Sequence, residues 1–164
     1  MRPYLIDFPA SGRLAIMPRP VGGDALGRHL KRLRGKGVDT LVCALTAGER
    51  DLLGLDGEPE AARAAGLSFV EFPIPDFSVP NAEALQVLAQ RIAKDVRKGY
   101  YVVVHCRGGI GRSGVVAGAA LIAMGANAEE AMRLVSEARG VPAPETEEQR
   151  SLLRTMAKGP TPQA

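Results

Sequence analysis

Cys106 and Arg112, with five residues between them, stand in the stretch HCRGGIGRSG, which runs from His105 to Gly114 and carries glycines at 108, 109, 111 and 114. Glycine adopts backbone angles that other residues resist and lets an anion come close to backbone N–H groups. Such a stretch follows an apolar run, YVVVH, and opens a helix. It therefore aims several N–H groups at one point, where the helix N-terminus adds partial positive charge. Arg112 contributes a planar fork that matches two oxygens of a phosphate. With Gly108, Gly109, Ile110 and Gly111 it forms a cradle for a dianionic phosphoryl group, which Arg107 either joins or leaves by pointing to solvent. Cys106 lies in the same electropositive place, where a thiolate is favoured over a thiol at neutral pH. A sulfur nucleophile facing a bound phosphoryl group implies in-line attack on phosphorus and a phosphocysteine intermediate.

The elements that must hold this loop follow from the apolar pattern. Leu14–Met17, Val38–Leu45, Leu67–Phe72 and Tyr100–His105 read as strands, and the segments between them read as helices. Asp24–Arg34 ends at Gly35 with basic residues in its last turn, and Asn81–Lys98 starts after Pro80 and stops at Gly99. Arg112–Met124, Ala128–Arg139 and Glu145–Met156 are three further helices, the last two separated by VPAP. Alternating strands and helices predict an α/β fold with a mostly parallel sheet covered on both faces, and ligands gather at the carboxyl ends of such strands. His105 to Gly111 sits at such an end. The 164 residues, 46% of them hydrophobic, suit one domain with a sizeable core. That domain is expected over residues 1–157, with the tail KGPTPQA, 158–164, disordered.

His105, Cys106, Arg112 and Ser113 together resemble the protein tyrosine phosphatase signature HCxxGxxRS, and the surrounding spacing is similar to the small dual-specificity branch. Within that branch it resembles especially the cyclin-dependent kinase inhibitor 3-like phosphatases and their bacterial relatives. The resemblance covers roughly Gly12 to Met156. It implies a sheet of about five strands between helices, hydrolysis of phosphoesters through the cysteine, and no metal or other cofactor. It also implies a general acid on a mobile loop some thirty residues before the cysteine, and Asp76 in PIPDFSVP fits that place; Asp51 and Asp56 are the next carboxylates. Ile74 stands where longer members of the family carry a tryptophan. By the same resemblance Ser113 would donate a hydrogen bond to the cysteine sulfur, and His105 would orient the loop and lower the thiol pKa. ETEEQ resembles the segment that carries a water-positioning glutamine, which lands on Gln149. Cys43, in LVCALT, reads either as a small buried strand residue or, as in related lipid phosphatases, as a redox partner for Cys106.

Other readings are weaker. Sulfurtransferases of the rhodanese type usually leave four residues between cysteine and arginine, GGIGRSG lacks the Gly-Lys-Ser/Thr of a nucleotide-binding loop, and low-molecular-weight phosphatases and arsenate reductases carry their signature near the N-terminus. A catalytically inactive phosphate-binding module, or an enzyme for a non-protein phosphoester, stays open as an alternative. A net charge of +3 from 21 basic and 18 acidic residues argues for neither a nucleic acid nor a membrane partner. The uncharged run Ser113–Ala128 is too short to span a bilayer and reads as a buried helix. Two cysteines and no secretory layout at the N-terminus point to a reducing compartment, the cytoplasm. The expected substrate is a phosphoprotein, phosphotyrosine foremost with phosphoserine and phosphothreonine behind it, and the protein is expected to act as a monomer.

Overall fold

The computed structural model describes residues 2–157, so the expected tail, 158–164, lies outside the described residues. Among these residues the sheet has five strands: β1 (Tyr4–Leu5), β2 (Arg13–Met17), β3 (Thr40–Cys43), β4 (Ser68–Glu71) and β5 (Tyr101–His105). They lie in the order β1-β2-β5-β3-β4. Only β1 runs antiparallel, against β2, and the other three pairings are parallel. β5 is therefore central. It pairs with β2 along its whole length and with β3 from Val102 to His105.

Alternation along these strands sorts the core into two layers. Leu14, Ile16, Val42, Val102 and Val104 face one way, packed against α4 (Ala82–Arg97), α5 (Arg112–Ala123), α6 (Ala128–Arg139) and α7 (Glu147–Ala157). Ala15, Met17, Leu41, Cys43, Tyr101 and Val103 face the other way, toward α1 (Leu26–Gly35) and α3 (Glu58–Ala64). A short helix, α2 (Ala47–Leu52), follows β3. The expected buried helix is α5: every residue from Arg112 to Leu121 is buried, which explains why its sequence shows no polar face. β1, two residues long, was not expected, and the stretch between β3 and β4, read as helical, holds two short helices, α2 and α3. The expected strand ends are also trimmed: Val38–Leu45 is a strand only from Thr40 to Cys43, with Asp39 and Ala44 each adding one backbone bond to β5 beyond it. The expected Glu145–Met156 helix starts at Glu147, since Thr146 Oγ1 accepts the N–H of Gln149 and so caps it.

Candidate active site

β5 delivers Cys106 to the carboxyl edge of the sheet, and α5 begins at Arg112 six residues on, so the intervening loop is pinned at both ends by buried elements. Cys106 is buried; its Sγ lies 3.2 Å from Ser113 Oγ and accepts the N–H of Gly109 at 3.3 Å. Gly109 has φ +72°, and a Cβ there would sit 2.5 Å from the backbone of Met17 and Pro18. Both its conformation and its neighbours exclude a side chain.

Above the sulfur is a pocket of about 210 Å³, lined by Asp76, Phe77, Cys106, Arg107, Gly108, Ile110, Gly111, Arg112 and Glu145. Arg112 is itself buried. Its guanidinium makes two parallel bonds to Glu49, Nη1 to Oε2 at 2.7 Å and Nη2 to Oε1 at 2.9 Å, and a third from Nη1 to the carbonyl of Ile74 at 2.9 Å. Glu49 is placed by a capping box at the start of α2, in which the Thr46 hydroxyl accepts the Glu49 N–H and the Glu49 carboxylate accepts the Thr46 N–H. Burial works against the charge on both partners, but their mutual bonds prevail, holding Glu49 below and Arg112 above their ordinary ranges.

Asp76 reaches the site from the loop after β4. Its Oδ1 lies 3.2 Å from Arg112 Nη2 and also accepts the N–H of Phe77, while 41% of its side chain is exposed. The loop is anchored on the inner side by Ile74, whose N–H bonds the carbonyl of Ala44 and whose carbonyl takes Arg112. Phe77, at φ +58° and 62% exposed, stands at the mouth. The expected acid and the expected cation thus meet, and Arg107 is present at the rim.

Two of the expected residues sit differently. Gln149 is fully buried and does not line the pocket: its Oε1 accepts the N–H groups of Glu145 and Thr146, and its Nε2 donates to the carbonyl of Ser78. These three bonds brace the Asp76 loop against the start of α7. The residue of that segment that enters the pocket is Glu145, whose Oε2 would lie 2.7 Å from a Cβ on Gly111. Cys43 belongs to the core layer on the far side of the sheet from Cys106, opposite His105 in the β3–β5 register, and both thiols are free. Their side chains point away from each other, an arrangement that cannot be bridged without moving backbone.

His105 occupies that same far face. Its Nε2 is 2.5 Å from Glu58 Oε1, its Nδ1 is 3.2 Å from the carbonyl of Cys106, and both His105 and Glu58 are wholly buried. Burial opposes a charge on the ring, yet the Cys43 sulfur and the Glu58 carboxylate beside it outweigh that, and its pKa is raised to about 10. The charged form of the ring is thus favoured, with its two nitrogens facing Glu58 and the Cys106 carbonyl. Cys43, Glu58 and His105 bring ligand-type atoms within 4.8 Å of one another, Cys43 because it stands opposite His105 in the β3–β5 register. Among the described residues no helix is long and apolar enough to cross a membrane.

The comparisons with known proteins agree with this geometry. A mouse protein, protein tyrosine phosphatase domain-containing protein 1, is 30% identical over 97 residues, which cover 54% of this chain but only 13% of that protein. The crystal structure of Tk-PTP in the active form superposes with a TM-score of 0.76 at 29% identity, covering 97% of this chain and 99% of that one. Kinase associated phosphatase, solved with its catalytic cysteine replaced by serine, shares the fold at a TM-score of 0.86 and 18% identity, over 98% and 97% of the two chains. Residues 7–164 match the family described as Swiss Army Knife protein, DSP-PTPase phosphatase domain. With the cysteine, arginine and glycine loop of that family assembled at the end of the central strand, the chain belongs to the dual-specificity branch of the cysteine-based protein tyrosine phosphatases.

Proposed function

We propose that residues 1–157 form a metal-independent phosphoprotein phosphatase that prefers phosphotyrosine and accepts phosphoserine and phosphothreonine, working through Cys106. The observation that carries this reading is the Cys106 sulfur, held between Ser113 Oγ and the Gly109 N–H at the floor of a pocket where Arg112 meets Asp76. In the first step the thiolate attacks phosphorus, the S–P bond forms, and the P–O bond to the leaving group breaks as Asp76 gives that oxygen its proton. Arg112 and the loop amides hold the charge on the phosphoryl oxygens. In the second step water attacks phosphorus and passes its proton to Asp76. The S–P bond then breaks, with Ser113 donating to the departing sulfur. Thiolate, guanidinium and carboxyl supply the chemistry, so no metal ion is called for.

A phosphoprotein is favoured over a polyphosphorylated ligand by the pocket wall. Two carboxylates, Asp76 and Glu145, stand at the mouth, and exposed Phe77 offers an aromatic surface to a phosphotyrosine ring. The test is turnover of phosphotyrosine peptide, aryl phosphates and a soluble phosphoinositide with a metal chelator present. Cys106→Ser should abolish hydrolysis while retaining vanadate binding. Asp76→Asn should lower kcat by roughly 10²- to 10⁴-fold for a poor leaving group and far less for a good one. Residual wild-type turnover in Cys106→Ser, or equal losses for both leaving groups in Asp76→Asn, would remove these residues from their roles. Preference for the phosphoinositide would move the substrate outside the phosphoproteins.

A further inference from the structure

We propose that Arg139, the last residue of α6, is a positioning residue that turns the amides of the phosphate loop toward the bound anion, and that Tyr4 on β1 seats it. The proposal rests on the reading of Cys106 as nucleophile and concerns residues that reading does not use. A trans peptide unit is planar, with its C=O and N–H on opposite sides. Whatever holds a carbonyl on the outside of a loop therefore directs the next N–H inward.

Three consecutive carbonyls of this loop are held from outside. That of Arg107 accepts the backbone N–H of Arg19 at 3.2 Å, that of Gly108 accepts Arg139 Nη2 at 3.4 Å, and that of Gly109 accepts Arg139 Nε at 3.2 Å. The N–H groups that follow them belong to Gly108, Gly109 and Ile110. The middle one lands on Cys106 Sγ at 3.3 Å, and Gly108 and Ile110 line the pocket. Adjacent glycines at 108 and 109 offer little resistance of their own to rotation of the peptide between them. A rotation there would present a carbonyl oxygen to a thiolate and a phosphate. One guanidinium spanning both carbonyls removes that freedom, and its charge lies just behind the anion site.

The position of Arg139 is itself built. It closes α6 before Gly140, which takes the left-handed conformation, and a helix C-terminus favours a cation. Its guanidinium carbon stacks 4.4 Å above the centre of the Tyr4 ring, fixing the plane of the fork. Lysine could supply the charge but cannot reach two carbonyls with a rigid fork.

The experiment compares Arg139→Ala, Arg139→Lys, Tyr4→Phe and Tyr4→Leu in the full chain. The readouts are inhibition by orthovanadate, the rate of Cys106 alkylation by iodoacetate at pH 6 followed by mass spectrometry, and kcat/KM for aryl phosphates of good and poor leaving groups. Arg139→Ala should weaken vanadate binding and slow alkylation about tenfold each, the scale of one charged hydrogen bond. The ratio between good and poor leaving groups should not move, since Asp76 is untouched. Arg139→Lys should lose much of the same, Tyr4→Leu should lose less in the same direction, and Tyr4→Phe should match wild type. A folded Arg139→Ala with wild-type vanadate affinity and alkylation rate would overturn the proposal. If that variant does not fold, Arg139→Lys decides between the same two outcomes. Wild-type protein that neither binds vanadate nor is alkylated at Cys106 would instead overturn the nucleophile reading, and this proposal with it.

Discussion

His105, whose charged form is favoured, has no access to water, and its partner Glu58 lies 47 residues earlier in the chain. The arrangement has a pH signature. Because the folded pKa is raised to about 10 from 6.5, the pair's contribution to stability is complete below pH 6.5 and is lost as pH rises through about 10. Cys43 also raises this pKa, so Glu58→Gln should reduce that slope rather than remove it and lower stability by about 3–5 kcal/mol at neutral pH, the scale for breaking a buried pair. Denaturant midpoints of both proteins between pH 6 and 10 check this, and parallel curves would contradict it. The same residues mark the limit of what the sequence discloses. Cys106, Arg112 and Ser113 are legible because their chemistry is local, set by spacing within one loop. Glu58, Glu49, Glu145 and Arg139 act on that loop from four other segments, and nothing in a one-dimensional pattern tells a carboxylate that will meet an arginine from one that will face water. Gln149 was legible as a residue near the site but not as a brace, since its role depends on the carbonyl of Ser78 on a distant loop.

At the scale of elements, the strand–loop–helix unit around Cys106 was readable because a fully buried strand and a helix buried through Leu121 leave long apolar runs on both sides of the glycines. Between β3 and β4 the pattern read as helical but did not resolve the two short helices there. α2 has six residues and no buried ones, so it lacks an apolar stripe; its sole local signal is the Thr46–Glu49 capping box, whose glutamate also serves Arg112. β1 is too short for alternation to register. The loop is the element most intolerant of change, and Gly109 tests it. Gly109→Ala must accommodate a Cβ against the Met17–Pro18 backbone and a positive φ at once. Strain of about 1–3 kcal/mol from the backbone angle alone should deflect the Gly109 N–H from the sulfur and lower kcat/KM at least tenfold, with the circular dichroism of the sheet retained. Wild-type kinetics in this variant would mean that the loop tolerates another backbone path.

At the scale of the whole molecule, the two core layers meet at β5, and the active site is an outgrowth of that seam: Cys106 faces one layer while His105, the residue before it, is buried in the other. β5 has hydrogen-bonded neighbours on both sides, and α5 is enclosed for most of its length. This central position has a consequence for how the protein fails. Edge segments such as β1 can open alone, but a strand paired on both sides and a helix sealed on all sides have no partial opening that leaves the rest intact, so their amides exchange with solvent only when the whole molecule opens. The catalytic loop hangs between these two pieces. Heating should therefore leave activity undiminished until the fold itself melts. Loss of turnover and loss of ellipticity should trace one curve, and inactivation several degrees below the unfolding midpoint would show that the loop can come apart without the sheet.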